Sequence, residues 1–262
     1  MSNPLLLALL VVFGLVAGSI LNVVIVRIPE DRSILRPRSQ CPLCEVPIAG
    51  RDNIPVASWV ALRGRCRSCG EAIPAGYPLV EVANAGLWVV AGLRFGASWE
   101  LLAYAPVFSV LLALSVIDLE LYILPNRITY PAILTSLVAV PVLALLSADN
   151  AQGAIIGALV GGVFYAGGLG VTLIAWELIV HKEGMGAGDV KLAVLLGLWV
   201  GYLHPVLVLY SVIAASVLGL VVGLGIFVVR RASRPYPFGP WLALGAIGVI
   251  VFSEPILDTI RP

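Results

Sequence analysis

Residues 4–26 read PLLLALLVVFGLVAGSILNVVIV and contain no charged side chain. A membrane-spanning helix needs about 20 mainly apolar residues, because the hydrocarbon core of a bilayer is about 30 Å thick. No Lys or Arg precedes this run and no small-residue cleavage site follows it, so it does not have the pattern of a removable signal peptide. The run therefore predicts a retained transmembrane helix with its N-terminus outside.

The remainder of the chain repeats this apolar pattern. Hydrophobic residues make up 60% of the sequence and charged residues 12%, with a mean hydropathy of +1.03, against roughly 25% charged residues in soluble domains. We predict an all-α polytopic membrane protein with about eight transmembrane helices. Seven or nine spans are the alternatives, because 190–203 is short and 153–180 is long enough to tilt or break. The further predicted spans are 79–97, 100–117, 129–147, 153–180, 190–203, 205–229 and 239–255.

The positive charges are distributed unevenly between the two sides that this topology defines. With the N-terminus outside and eight spans, only Arg94 and Arg261 of the 16 basic residues lie outside. Cytosolic segments are enriched in Lys and Arg in membrane proteins, so the bias supports this orientation. The cytosolic residues are Arg27, Arg32, Arg36, Arg38, Arg51, Arg63, Arg65, Arg67, Arg127, Lys182, Lys191, Arg230, Arg231 and Arg234.

Small residues recur four positions apart within several apolar runs, for example Gly14 with Gly18 and Gly157 with Gly161. This spacing lets helix backbones approach closely in lipid. In a chain with many spans it favours packing within the molecule over dimerisation, and it predicts no particular oligomeric state.

Residues 27–78 form the only sizeable polar segment, so the sequence predicts three parts: a first helix at 1–26, a cytosolic domain at 27–78 and a membrane domain at 79–262. All four cysteines lie in the polar segment, as two CxxC pairs. Two such pairs describe a closed, structural zinc site. Two disulfides are the alternative, which the reducing cytosol disfavours. The predicted zinc ligands are Cys41, Cys44, Cys66 and Cys69.

Three arginines, Arg63, Arg65 and Arg67, flank the second CxxC pair. Zinc ribbons often bind nucleic acid, which is one interpretation of this basic cluster. Attraction to anionic lipid or retention of topology explains arginines close to a membrane more simply. We therefore predict the lipid bilayer, and not nucleic acid, as the partner here, with contact to a partner protein as the alternative.

Two aspartates lie where apolar runs meet the cytosolic face. Asp118 ends the run Ala113-Leu-Ser-Val-Ile-Asp118, and Asp189 lies in Gly184-Met-Gly-Ala-Gly188-Asp189-Val-Lys191. An ionisable group at membrane depth is costly and is a functional candidate by default. The alternative is that each aspartate is a solvated helix-end residue, with Asp189 favoured by a helix dipole.

The glycines before Asp189 favour the functional interpretation. Gly184, Gly186 and Gly188 permit a tight turn or a close approach to a substrate backbone, which a capping aspartate does not require. A phosphate-binding loop would need a preceding strand within a βαβ unit, and here the flanking segments are membrane helices. Gly186 and Gly188 are therefore predicted to form a substrate-contacting loop.

Two carboxyl groups on separate helices can share one proton when they lie close together. One then activates water while the other protonates the peptide carbonyl, as in aspartic proteases. Asp118 and Asp189 are therefore the predicted catalytic pair of a membrane aspartic endopeptidase. The competing class is a transporter or channel that binds protons or cations at these aspartates, although both lie at one face of the bilayer.

With these motifs the chain resembles the type IV prepilin peptidases, GxGD aspartic proteases that process pilins and type II secretion pseudopilins. The resemblance extends in patches over nearly the whole chain, and the cysteine segment makes it specific. The matching stretches are Gly18–Pro29, Cys41–Cys44, Asp52–Pro55, Ser58–Trp59, Leu62–Cys69, Tyr77–Glu81, Asp118 with Leu124–Pro125, Gly186–Lys191 and Pro237–Gly245.

The resemblance implies that Asp118 and Asp189 are catalytic and that the leader is cut after a glycine. It also implies N-methylation of the new N-terminus with S-adenosylmethionine, a peptidase without this activity being the alternative. The expected location is the bacterial inner membrane, with the active site facing the cytosol. Lys191 either balances the charge of the pair, contacts an acidic substrate residue or extends to the interface. Asn126 departs from the family pattern, where many members carry Asp.

Overall fold

The computed structural model describes residues 3–181, 186–230 and 237–260, and these are almost entirely helical. The helices are α1 Pro4–Arg27, α2 Ala57–Ala61, α3 Gly76–Phe95, α4 Trp99–Leu121, α5 Asn126–Ser147, α6 Ala151–Val180, α7 Ala187–Leu203, α8 Val206–Arg230, α9 Gly239–Val251 and α10 Ser253–Ile260. A short 3₁₀ turn, Gly50–Asp52, precedes α2. The predicted all-α membrane fold is confirmed.

The chain divides into two compact units, Met1–Ala113 and Leu114–Pro262. In the first unit α1 packs along α3, and the two helix backbones are in direct contact. A Cβ added to Gly14 would lie 2.6 Å from the Ala85 Cα, and one added to Gly18 would lie 2.7 Å from the Glu81 Cα. The predicted small-residue packing within the molecule is therefore present in this unit.

In the second unit α7 packs against α5, α6, α8 and α9. Its contact with α6 depends on glycines, since a Cβ on Gly161 would lie 2.9 Å from the Gly201 Cα. Residues 192, 193 and 195–202 of α7 are all buried. This burial gives the beginning of α7, where Asp189 lies, a fixed position in the unit.

Among the described residues six helices are long and apolar enough to cross a membrane, or seven if α9 and α10 form one span bent by 68°. The predicted span at 190–203 is a helix of 17 residues, α7, about 26 Å long at 1.5 Å per residue. The predicted span at 239–255 breaks after Val251. Pro255 explains the break, because it cannot donate to the Val251 carbonyl and its ring clashes with that group.

Candidate active site

Asp118 lies in the last turn of α4 and is buried, with 6% of its surface exposed. The helix ends at Leu121, where Tyr122 adopts a left-handed conformation with φ of 58° and donates its N–H to the Asp118 carbonyl. Leu124 and Pro125 follow and lead into α5. The turn therefore holds Asp118 at the helix end without exposing its side chain to water.

Gly239, the first residue of α9, fixes the orientation of the Asp118 carboxyl group. Its N–H donates to Asp118 Oδ2 at 3.1 Å. A Cβ at position 239 would lie 2.5 Å from the same oxygen and 3.6 Å from Leu192 in α7. Free N–H groups at a helix N-terminus favour a nearby negative charge. Only glycine can bring this N–H so close to the carboxylate.

Asp189 is the third residue of α7 and is also buried, with 7% of its surface exposed. The helix begins after Gly186, whose carbonyl accepts the Asp189 N–H at 3.0 Å. The Gly186 N–H in turn donates to the Asp189 carboxyl group, the contact by which an acidic third residue caps a helix N-terminus. The alternative of a solvated helix-end residue is nevertheless wrong, because the Asp189 side chain is buried.

Asp118 and Asp189 lie within electrostatic range of each other in the second unit. Like charges at short range cannot both ionise readily, so such a pair tends to hold one proton between its carboxyl groups. Both groups are largely shielded from water, which strengthens their interaction. The two buried carboxyl groups thus belong to one site, and their role as a catalytic pair stays a prediction.

The predicted loop residues surround Asp189. Gly188 lies against Leu124, and an added Cβ there would be 3.1 Å from the Leu124 Cβ. Gly186 has an extended conformation with φ of −75°. A Cβ added to Gly186 would lie 3.9 Å from Asp189 Oδ2. Close approach, rather than a left-handed backbone, is therefore the reason for glycine at 188. Gly184 lies outside the described residues.

Lys191 extends from the first turns of α7 toward the beginning of α5. Its Nζ donates to Asn126 Oδ1 at 2.8 Å and lies 5.3 Å from the centre of the Tyr130 ring. Asn126, the residue at which this chain departs from the family pattern, thus accepts the hydrogen bond from Lys191. Because Asn126 is neutral, the contact leaves the positive charge of Lys191 uncompensated by this partner.

The four cysteines form one cluster in the first unit. Their sulfur atoms all lie within 4.8 Å of one another, and Cys41 Sγ is 3.8 Å from Cys69 Sγ. None is in a disulfide. Four sulfur atoms at about 2.3 Å from a tetrahedral zinc ion would be about 3.8 Å apart. The cluster can therefore hold a metal ion, and its donor set fits zinc.

The two CxxC pairs have the same local fold. The Cys41 N–H donates to the Val46 carbonyl at 3.1 Å, and the Cys66 N–H donates to the Glu71 carbonyl at 2.7 Å. After each pair one residue has a left-handed backbone, Glu45 with φ of 57° and Gly70 with φ of 74°. The turn thus directs both thiols of a pair to the same side of the backbone. The N–H groups of the turn point to that side as well.

The backbone of these turns makes one thiol acidic. Hydrogen bonds from the Cys44 and Leu43 N–H groups lower the pKa of Cys41 to about 7. The Glu71 N–H also favours the Cys69 thiolate, but desolvation and the three neighbouring sulfur atoms outweigh it and raise the pKa of Cys69 to about 12. Four thiolates together therefore need a cation, and metal binding will release protons.

Gly239 is a site residue whose role the sequence did not reveal. The sequence marked Pro237–Gly245 as a matching stretch and gave it no function. A Phe-Gly-Pro segment directly before an apolar run is the available signal, because glycine at a helix N-terminus permits close approach of a ligand or side chain. Its partner, Asp118, lies 121 residues away in the sequence.

Two family models match the chain. The model of the bacterial peptidase A24 N-terminal domain matches residues 12–95, which include the cysteine cluster. The model of the type IV leader peptidase family matches residues 105–224, which include both aspartates. No solved structure matches the chain.

Similar proteins match over most of the chain, and each is named prepilin leader peptidase/N-methyltransferase. The protein of Aeromonas salmonicida strain A449 is 36% identical over 278 residues, covering 95% of this chain and 91% of that protein. The protein of Pseudomonas putida is 36% identical over 281 residues, with 95% and 92% covered. That of Myxococcus xanthus strain DK1622 is 40% identical over 223 residues, with 85% and 63% covered.

Proposed function

Because the chain belongs to the type IV leader peptidase family, we propose that it is a membrane aspartic endopeptidase that removes the leader peptide of type IV prepilins and type II secretion pseudopilins. The cut follows a glycine at the cytosolic membrane face. The observation that carries the proposal is the pair of buried carboxyl groups at Asp118 and Asp189, which interact electrostatically.

The proposed reaction requires no metal at the dyad. One carboxylate takes a proton from water as the oxygen attacks the scissile carbonyl carbon, while the other carboxyl group donates its proton to the carbonyl oxygen. The tetrahedral intermediate then collapses, the C–N bond breaks and the amine leaves with a proton. The Gly239 N–H orients the Asp118 carboxyl group, and Gly186 lies beside the Asp189 carboxyl group. The loop that contains Gly186 and Gly188 is proposed to contact the substrate backbone.

The same polypeptide is proposed to methylate the amine that cleavage exposes. S-adenosylmethionine supplies the methyl group, which is transferred from its sulfonium sulfur to the nitrogen of the unprotonated N-terminus. Support comes from the relatives, whose names pair the peptidase with an N-methyltransferase. The transporter alternative has no such support.

Zinc is the metal proposed for the cysteine cluster, where Cys41, Cys44, Cys66 and Cys69 would hold it as four thiolates. With every position taken by sulfur the ion has a structural role. The proposed division is a first helix at 1–26, this cytosolic zinc domain at 27–78 and a peptidase domain at 79–262. The proposed orientation in the bacterial inner membrane has the N-terminus outside.

Product analysis tests the proposal. Purified protein in lipid nanodiscs is incubated with a pilin precursor, and the products are analysed by N-terminal sequencing and mass spectrometry. We expect one cut after the leader glycine, and with S-adenosylmethionine present, one added methyl group on the new N-terminus. An uncut precursor would contradict the peptidase, and a cut but unmethylated product would identify a peptidase alone.

A further inference from the structure

Glu81 is a buried acidic residue that the proposed chemistry does not use. It lies in the second turn of α3, a membrane-spanning segment, and only 8% of its surface is exposed. Its Oε2 accepts the Val56 N–H at 2.7 Å. The side chains of Ser19 and Asn22 also form hydrogen bonds with it. A carboxyl group at this depth is costly unless donors surround it, and here they come from two segments, α1 and the residue before α2.

The helix pair that carries Glu81 is closely packed at this point. Gly18 allows α1 to contact the backbone of α3 directly at Glu81. The Asn22 side chain donates to the Tyr77 carbonyl at 3.1 Å, one turn before Glu81. The carboxyl group is therefore fixed in position by two helices, and it is suited to hold a third element.

That third element begins at Val56, whose backbone is strained. Val56 has φ of 59° and ψ of −50°, a conformation with positive φ that a β-branched residue rarely adopts. Such conformations persist only where their surroundings determine them. The contact with Glu81 is the interaction that satisfies the Val56 N–H, because this residue precedes the first turn of α2.

From Val56 the contacts lead to the second cysteine pair. Trp59 in α2 packs on Gly64, where an added Cβ would lie 2.9 Å from the indole ring. The indole N–H donates to the Ile73 carbonyl at 3.0 Å, and the Ile73 N–H donates to the Gly64 carbonyl at 2.7 Å. Gly64 and Ile73 flank the turn that contains Cys66 and Cys69. A continuous set of contacts thus joins Glu81 to the zinc site.

We infer that Glu81 is a positioning residue, which fixes α2, and through Trp59 the second cysteine pair, against membrane helices α1 and α3. We expect methyl transfer to depend on the cysteine segment being held in this fixed position. Peptide hydrolysis should not depend on it, because no residue of the contact belongs to the unit that contains the aspartates. The expected effect on methyl transfer rests on the proposed function. The claim that Glu81 fixes α2 and the second cysteine pair does not.

The test uses the full-length protein in nanodiscs and three variants. Glu81→Ala removes the acceptor, and Glu81→Gln retains an oxygen that can accept the Val56 N–H. The matched control is Asn84→Ala, which removes a buried contact between α3 and the Gly14 carbonyl without touching the cysteine segment. Each protein is assayed for leader cleavage, for methyl transfer as kcat/KM, and for the rate of trypsin cleavage after the exposed Arg63 and Arg65.

We expect Glu81→Ala to raise the trypsin rate at least about tenfold, since the Val56 N–H would be left without its acceptor, and to lower methyl transfer similarly. Leader cleavage should stay within about twofold of the wild type, because the aspartate site is intact. Glu81→Gln should lie within about threefold of the wild type in every assay, since its oxygen accepts the Val56 N–H. Asn84→Ala should leave the trypsin rate and the ratio of the two activities unchanged.

An unchanged trypsin rate in Glu81→Ala would overturn the inference. So would a Glu81→Gln variant as impaired in methyl transfer as Glu81→Ala, because the negative charge itself would then be required. If the wild type does not methylate at all, the proposed methyltransferase fails, and the trypsin rates alone decide whether Glu81 positions the segment.

Discussion

At the residue scale, Asp118 shows what a sequence reveals and what it does not. A carboxyl group at the end of an apolar run is conspicuous, because burying a charge is costly. Its partner is not, since Gly239 lies 121 residues away and has no side chain to suggest an interaction. The sequence therefore predicts the reactive groups, whereas the hydrogen bond that orients Asp118 depends on helix packing.

Gly239→Ala tests this hydrogen bond. The new methyl group would lie 2.5 Å from Asp118 Oδ2, so the carboxyl group must move. We expect leader cleavage to fall about 100-fold, since a misplacement of about 1 Å can cost that much. Initial rates of leader release from a pilin precursor measure the effect.

Gly248→Ala, in the same helix, is the matched control, because no atom lies within 4 Å of its added Cβ. This variant should cleave at the wild-type rate. Equal rates for Gly239→Ala and the wild type would show that the contact has no role.

At the element scale, apolar runs of about 20 residues predicted the helices well, because length and hydrophobicity decide membrane insertion. The break between α9 and α10 was not predicted, because hydropathy carries no information on backbone hydrogen bonding. Pro255 has no N–H to donate to the Val251 carbonyl. The four cysteines were predicted as one cluster from spacing alone. The contact of Glu81 with Val56 could not be predicted, because nothing in either residue type specifies a backbone N–H as partner.

Gly161→Val tests the packing of α6 on α7. The larger side chain would collide with the backbone of α7 at Gly197 and Gly201, and overpacking of this kind typically costs about 1–3 kcal/mol. We expect a lower midpoint of thermal unfolding in detergent, and slower leader cleavage because α7 carries Asp189.

Gly167→Val is the control, since the site is exposed and no atom lies within 4 Å of the added Cβ. It should unfold at a temperature close to that of the wild type. If both variants were equally stable, the glycine contact between α6 and α7 would not be needed.

Metal analysis tests the cysteine cluster. We expect one zinc ion per chain in the wild type, and its loss from Cys44→Ser and Cys66→Ser after dialysis, because a hydroxyl group is a poor ligand for this thiolate site. Ser68→Ala, within the second pair, should keep its zinc. Full zinc content in both cysteine variants would exclude the four-sulfur site.

At the scale of the whole molecule, the distribution of basic residues predicts the topology. Fourteen of the 16 Lys and Arg residues fall on one side when the N-terminus is outside, and loops rich in such residues remain in the cytosol. The same assignment places the end of α4 and the beginning of α7 on the cytosolic side. A prepilin leader, which is expected there, would then meet both aspartates.

Cysteine labelling tests this topology. A maleimide that cannot cross membranes should label Ser98→Cys and Asp149→Cys in intact spheroplasts, because both lie in predicted outside loops. Tyr122→Cys, in the connection after α4, should be labelled only after lysis. Labelling of Tyr122→Cys in intact spheroplasts would reverse the orientation.

The most direct measurement is the rate of leader cleavage by Asp118→Asn, Asp189→Asn and the double variant, beside Glu120→Gln as an exposed acidic control two residues from Asp118. General acid and base groups contribute about 10²- to 10⁴-fold each, and groups that act as a unit are not additive. We predict a loss of at least about 100-fold in each single variant, little more in the double variant, and wild-type activity in Glu120→Gln. Wild-type cleavage by either single aspartate variant would contradict a catalytic pair.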